Sequence, residues 1–229
     1  MAGRPNPARK APKAEQRAET TEQILNEAER LFAMHGFHGV TLKDVARAAG
    51  VHHTLLNYYF DDKQKLLDEV FARRAVVTRA LRLKSLEAYE RAVGDNVTVE
   101  GALHAFLDVD LDLYNQGDAH WKNFGALVGL VANTPEWGAS LMTEHFDDLV
   151  LRLIRILKKA LPDSTDADIF WGYHFVSGAL LLTLARTGRI DRLSGGICQS
   201  DDFEAIKARM ATFMAAGLHE ICGPAPVAA

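Results

Sequence analysis

The chain has 229 residues, of which 48% are hydrophobic and 24% charged, the balance of a folded protein rather than a disordered one. Lys and Arg number 26 against 30 Asp and Glu, a formal net charge of −4, which excludes a uniformly basic nucleic-acid coat but not a locally basic face. The two cysteines, Cys198 and Cys222, are too few for a disulfide framework or a zinc ribbon.

The longest uncharged apolar run, Ile169 to Ala185, is interrupted by His174, Ser177 and two glycines. It falls short of the ~20 residues that span a bilayer and reads as a buried helix. The opening MAGRPNPARKAPK is basic but has no apolar stretch behind it, unlike a secretory signal. A cytoplasmic protein without a membrane partner is expected.

Charge is uneven. Residues 1–65 hold ten Lys/Arg and eight Asp/Glu, whereas residues 66–229 hold sixteen and twenty-two. Residues 1–18 carry Arg4, Arg9, Lys10, Lys13 and Arg17 against Glu15 alone. With three prolines, they read as a flexible basic tail that could add phosphate contacts.

Beyond the tail the hydrophobic spacing is helical throughout, and no alternating β-branched run nominates a strand. Thr20 with Gln23 suggests a capping box opening a first helix. Ile24, Leu25, Ala28, Leu31 and Phe32 line its inner face, and Gly36 ends it. Thr41 caps a short second helix carrying Leu42, Val45, Ala46 and Ala49, which Gly50 breaks. A third helix is predicted from about His52 to Phe60, and Asp62 caps a long fourth from Lys63 to about Ala92. Five more follow at approximately 97–116, 118–132, 135–160, 165–188 and 201–221, about nine in all. Thr134-Pro135 is read as an N-cap with proline at the first helical position, and Thr165 with Asp168 as another cap.

Residues 41–60, TLKDVARAAGVHHTLLNYYF, carry the strongest signal. Two short helices meet at Ala49-Gly50-Val51, and Val45, Ala46, Val51 and Leu56 are spaced to pack them together. This is the pattern of a helix-turn-helix, whose second helix enters the major groove. The stretch from Thr20 to Leu67 resembles the DNA-binding domain of the tetracycline-repressor (TetR) family of bacterial transcription regulators. The resemblance rests on Phe32, Gly36, Phe37, Thr41, Val45, Ala46, Ala49-Gly50-Val51, Leu56, Tyr58-Tyr59-Phe60, Lys63 and Leu66-Leu67.

That resemblance implies roles. Thr41 would cap the second helix and meet a phosphate, and Lys43 would reach a phosphate or base edge. His52, His53, Thr54 and Leu55 would begin the recognition helix, with Asn57 and Tyr59 further along it. Lys63 would meet a phosphate at a helix N-terminus, while Tyr58 and Phe60 are expected mainly in the core. The chain departs from the family pattern in placing His52 where a small capping residue is common, Asn57 where Tyr is common and Leu55 where Thr or Ser is common. Leu55 suggests contact with a thymine methyl, and Asp61 is expected to weaken phosphate affinity. His52-His53 also suggests contacts strengthened by protonation, since an unperturbed histidine titrates near ~6.5. Neighbours on a helix point ~100° apart, so no metal site is assigned to the pair.

Specific readout by one small helix is weak, and such proteins bind as dimers on half-sites about 34–36 Å apart. The last two helices are the candidates for a homodimer interface. One carries Gly172, Ser177, Gly178 and Ala179 beside Leu180, Leu181, Leu182 and Leu184; the other carries Phe203, Ile206, Met210, Phe213, Met214, Leu218 and Ile221. The middle helices suggest a small-molecule pocket: Phe106, Asp110 and Tyr114, then Trp121 and Phe124, then His145, then Trp171, His174 and Phe175. By the resemblance, an effector there would alter DNA affinity by tilting the long connecting helix, and a ~100-fold loss corresponds to about 2.7 kcal/mol of coupling.

The expected organisation is all-α: a tail at 1–18, a helix-turn-helix domain at 19–65 and a helical effector-binding and dimerisation domain at 66–229. No glycine-rich phosphate loop, nucleophile elbow or paired-histidine zinc helix is present in the sequence, so no enzyme and no cofactor are assigned. The expected function is a repressor that binds palindromic double-stranded DNA as a dimer and is released by a small, largely apolar ligand. The alternative is a DNA-binding dimer without a small effector, controlled by a protein partner or by abundance.

Overall fold

The computed structural model describes residues 13–223 and divides the chain into two compact units, Met1–Val70 and Phe71–Ala229. Ten helices and no strands occur among the described residues.

The first unit holds α1 (Lys13–His35), α2 (Leu42–Ala48), α3 (His53–Phe60) and the start of α4 (Lys63–Val93). Helix α1 begins seven residues before Thr20, whose hydroxyl donates to the Gln16 carbonyl at 2.8 Å instead of capping. The predicted tail is therefore helical from residue 13; residues 1–12 of it lie outside the described residues. The stretch from Glu15 to Glu19 consists of good helix formers, so the helix extends N-terminally.

Ile24, Ala28 and Phe32 of α1 are fully buried, as are Val45, Leu56, Leu66 and Leu67. Between α2 and α3, Gly50 takes φ 66°, Gly50 N–H donates to Arg47 O and Val51 N–H to Ala46 O. This is a Schellman turn, and it needs a residue that enters the left-handed region without penalty.

The second unit holds the rest of α4 with α5 (Val99–Gln116), α6 (Ala119–Ala132), α7 (Gly138–Ala160), α8 (Asp166–Ala185), α9 (Arg189–Leu193) and α10 (Phe203–Ile221). Helix α5 runs along α10 and α6 along α8, with α7 against both α5 and α8. Lys207 bonds Asp112 at 2.7 Å and Asn115 bonds Glu204 at 2.7 Å, fixing the register of α5 on α10. Thr165 caps α8 through the Asp168 N–H, as predicted.

The Thr134-Pro135 cap is not formed. Helix α7 starts at Gly138, and Thr134 donates backwards to the Leu130 carbonyl at 2.9 Å. A Cβ on Gly138 would lie 1.9 Å from Val131 O, so the α6–α7 corner closes only around glycine. The short α9 has no counterpart among the predicted helices.

Helix α8 is not a buried helix. Ile169, Gly172, Val176, Leu180 and Leu184 face inward, while Phe170, Trp171, Phe175 and Leu182 are exposed. By length and composition α8 could cross a bilayer, but its inner face packs on α6, α7 and α10.

Candidate nucleic-acid interface and effector cavity

Within the first unit, the N-terminal ends of α2, α3 and α4 surround a shallow groove of about 540 Å3 lined by His38, Thr41, Lys43, His53, Asn57 and Lys63. With Val40 and Leu42 the lining numbers eight residues, of which five are among the predicted DNA contacts. His38 was missed; it lies in the loop just before the Thr41 cap, where helical periodicity carries no information.

Thr41 forms a full capping box. Its Oγ1 accepts from the Asp44 N–H and its own N–H donates to Asp44 Oδ2 at 3.0 Å. The Thr41 hydroxyl also donates to Asp44 Oδ2 at 2.6 Å, and this bond, then the one from the Thr41 N–H, holds the Asp44 carboxyl below its ordinary range. His52 is the N-cap of α3: its Nδ1 accepts from the Thr54 N–H and lies 2.9 Å from Thr54 Oγ1. The imidazole thus does the task of the small capping residue it replaces. His52, His53, Thr54 and Asn57 are exposed on α3, and Leu55 and Tyr59 are half-buried.

Lys63 has a task that spacing did not suggest. Its Nζ donates to the carbonyls of Phe37 at 2.8 Å and Val40 at 3.0 Å and sits 4.2 Å from the Phe37 ring centre. The ammonium fastens the α1–α2 loop and has one N–H left for the groove. Phe60 is in the core, but Tyr58 is 71% exposed, against expectation. It and Tyr59 lie beneath the Arg17 guanidinium, 5.8 and 5.2 Å from the ring centres. Asp61 is ion-paired with Lys65, which offsets the charge expected to weaken phosphate binding.

Within the second unit, a narrow cavity of about 40 Å3 opens between α4, α5, α6, α7 and α8. Its polar lining consists of Thr78, Arg82, Asp110, Tyr173 and Ser177, and its aromatic lining of Phe106, Phe124, Phe146 and the Tyr173 ring. Arg82 Nε donates to the Phe106 carbonyl at 3.0 Å, its guanidinium lies 3.7 Å from the Phe106 ring centre, and Nη1 meets Asp110 Oδ2 at 3.1 Å. Arg82 Nη2 and Asp110 Oδ1 are buried without a hydrogen-bond partner. Burial pushes the Asp110 carboxyl up, and Arg82 opposes it.

Of the predicted pocket residues, Phe106, Asp110 and Phe124 line this cavity. Tyr114 is buried behind it against Phe203, with its hydroxyl pushed well up by burial and then by Asp110. Trp121 lies under Arg74, and His145 packs 5.6 Å from Phe71. Trp171, His174 and Phe175 do not face the cavity. They form an exposed ring cluster on the outer face of α8, with Trp171 and Phe175 centres 6.1 Å apart. Arg82 was missed, yet Phe71, Ala75, Thr78, Arg82 and Leu86 form one buried three–four stripe along α4, a legible signal.

Two family models match. Residues 24–70 fit "Bacterial regulatory proteins, tetR family" and residues 104–217 fit "Tetracyclin repressor-like, C-terminal domain". The chain belongs to the TetR family of bacterial transcription regulators. A curated relative, the HTH-type transcriptional regulator BetI of Agrobacterium fabrum, is 33% identical over 87 residues, 38% of this chain and 41% of BetI. The match thus spans about two fifths of that relative's length.

Solved structures share the TetR-type fold at low identity. The hemolysin II transcriptional regulator HlyIIR superposes with TM-score 0.58 at 20% identity, over 84% of this chain and 97% of its own. The transcriptional regulator FadR from Bacillus subtilis, solved in complex with stearoyl-CoA, gives 0.57 at 15%, over 86% and 98%. The family is one of DNA-binding transcription regulators, and the groove of α2, α3 and α4 residues is this chain's DNA-binding candidate.

Proposed function

We propose that the protein is an effector-responsive repressor that binds a palindromic operator as a homodimer and is released by a small, largely apolar ligand. The observation that carries this reading is the outer face of α8 and α10. Trp171, His174, Phe175, Gly178 and Leu182 recur along α8, and Phe213, Gly217 and Ile221 along α10. Phe175, Leu182 and Phe213 are 56%, 69% and 73% exposed, and a Cβ on Gly178 or Gly217 would meet nothing within 4 Å.

Aromatic rings interleaved with open glycines suit close helix–helix contact with a second copy. Gly172, expected at that interface from its spacing, belongs instead to the contact within the chain, since a Cβ there would lie 2.1 Å from Leu218 Cδ2.

On this reading Thr41, Lys43, His53, Thr54, Leu55, Asn57 and Tyr59 address the operator, together with His52 and Lys63, and the cavity beside Arg82 receives the effector. Helix α4 contributes Lys63 to the groove and Arg82 to the cavity, so a ligand that prefers one α4 position also biases DNA affinity. Selection of bound fragments from the source genome, followed by footprinting, tests the reading. Two protected half-sites about one helical turn apart are expected, and absence of any preferred duplex overturns it.

The small cavity favours the alternative of a dimer without an effector, because ligand pockets usually run to about 300–1,000 Å3. Tryptophan quenching across a metabolite library separates the two readings.

A further inference from the structure

The first turns of α1 stand outside the core of the first unit. The helix begins at Lys13, but its first buried residue is Ile24, and residues 14–19 are exposed. Arg17 links this overhang to α3. Its Cζ lies 5.2 Å from the Tyr59 ring centre and 5.8 Å from that of Tyr58. The two rings stand 5.5 Å apart, inclined at 57°, and form a shallow cup under the guanidinium. Both distances are within cation–π reach.

The charge of Arg17 is not spent on a carboxylate. The residues three and four positions away on its helix are Lys13, Ala14, Thr20 and Thr21, none of them an acid that could pair along the helix. Arg30, Arg47, Arg79, Arg82 and Arg152 each meet a carboxylate, whereas no carboxylate holds Arg17 among the described residues. The two acids that follow α3 are engaged elsewhere: Asp61 pairs with Lys65, and Asp62 accepts from the Lys65 N–H at 2.8 Å. A guanidinium that rests on aromatic faces keeps the N–H donors of its edge, and those donors form a fork that matches a phosphate.

The position suits such a contact. Tyr58 and Tyr59 follow directly on Asn57, which with His53 lines the groove. At 3.6 residues per turn they stand about 100° and 200° round α3 from Asn57. A helix in the major groove has base edges beneath it and sugar-phosphate backbone beside it. Arg17 therefore stands beside α3, apart from the groove that Lys43 and Lys63 line.

We infer that Arg17 is a phosphate contact of the DNA-binding unit, held in position by the Tyr58 and Tyr59 rings. This rests on the operator-binding part of the reading above. The rings restrict a long side chain before DNA arrives, so less freedom is lost on contact. The contact belongs to an ordered helix rather than to a flexible tail, and it adds affinity without reading sequence.

The test uses the full-length protein, the duplex recovered by genomic selection and a scrambled duplex of equal length, with anisotropy measured across a salt series. Arg17→Gln is expected to lower the slope of log affinity against log salt by about 1 per bound subunit, and to weaken both duplexes by the same factor. Tyr58→Phe, which keeps the ring, should match the unaltered protein. Tyr58→Ala should weaken binding when Arg17 is present and change nothing in the Arg17→Gln background.

Three results overturn the contact: an unchanged salt slope in Arg17→Gln, a loss confined to the selected duplex, which would mark a distorted α3 instead, or additive effects of Arg17→Gln and Tyr58→Ala. Each of these, with selective duplex binding intact in the unaltered protein, sinks this contact alone. An unaltered protein that prefers no duplex sinks the regulator reading and this contact with it.

Discussion

Arg82 Nη1 meets Asp110 Oδ2 at 3.1 Å, with the two side chains 8% and 5% exposed, and this contact ties α4 to α5 inside the second unit. Removing one partner leaves the other as an uncompensated buried charge. Asp110→Asn is therefore expected to lower unfolding free energy by about 3–5 kcal/mol, whereas Arg82→Met/Asp110→Leu costs far less. Urea denaturation of the three proteins measures both.

The pH dependence of this pair has a definite sign. Burial, outweighing Arg82, raises the folded-state Asp110 carboxyl above its ordinary value. The folded protein thus holds that proton to higher pH than the unfolded chain does. The resulting stabilisation is fully present below the ordinary carboxylate value and is lost as pH rises through the raised folded one. Any deficit of the unaltered protein against the double variant should narrow on going from about pH 7 to pH 4.

Lys63 separates a structural role from a phosphate contact. If it served phosphate alone, Lys63→Met would lower the salt slope of operator binding by about 1 and leave stability unchanged. Because its Nζ bonds the Phe37 and Val40 carbonyls, the variant should also lose about 1–3 kcal/mol of stability. Thermal unfolding beside a salt titration of DNA binding checks this.

Asp61 has φ 47° and ψ −57° between α3 and α4, and Asp62 N–H closes on Phe60 O. This is a γ-turn, strained for any residue with a Cβ. Asp61→Gly should raise stability by about 1 kcal/mol, while Asp61→Ala, which keeps the strain and loses the Lys65 pair, should not. Calorimetric melting of both variants distinguishes them.

His52 caps α3 with its ring nitrogen Nδ1, which accepts from the Thr54 N–H. His52→Asn retains a capping oxygen and should be nearly neutral, whereas His52→Ala costs about 1 kcal/mol.

Phe175 and Phe213 project from the outer faces of α8 and α10. Either residue changed to Glu should shift the protein to monomer in sedimentation velocity and weaken operator binding, by placing charge in an apolar contact. Met34→Glu, at an exposed apolar site of the first unit, should leave the oligomeric state unaltered.

Much of the architecture is legible in residue order alone. Thr41, Gly50, Asp62 and Thr165 announce caps and breaks that the fold contains, because each acts on backbone groups within one turn. The groove residues are legible for the same reason: Thr41, Lys43, His53, Asn57 and Lys63 lie within one short stretch. The errors fall where local signals compete. Thr20 sits inside a run of good helix formers, and Pro135 precedes a corner that closes on Gly138.

Residue type and spacing were sufficient for an all-helical chain carrying a helix-turn-helix, since periodicity and capping are short-range physics. They could not choose which side of α8 turns inward, because a helix apolar nearly all round carries no amphipathic bias. Nor could they bring Arg82 of α4 onto Asp110 of α5, or carry the Trp171 cluster away from the cavity to the outer face. Those outcomes depend on which helices pack against which, a matter of close-packed volume and charge pairing between segments distant along the chain.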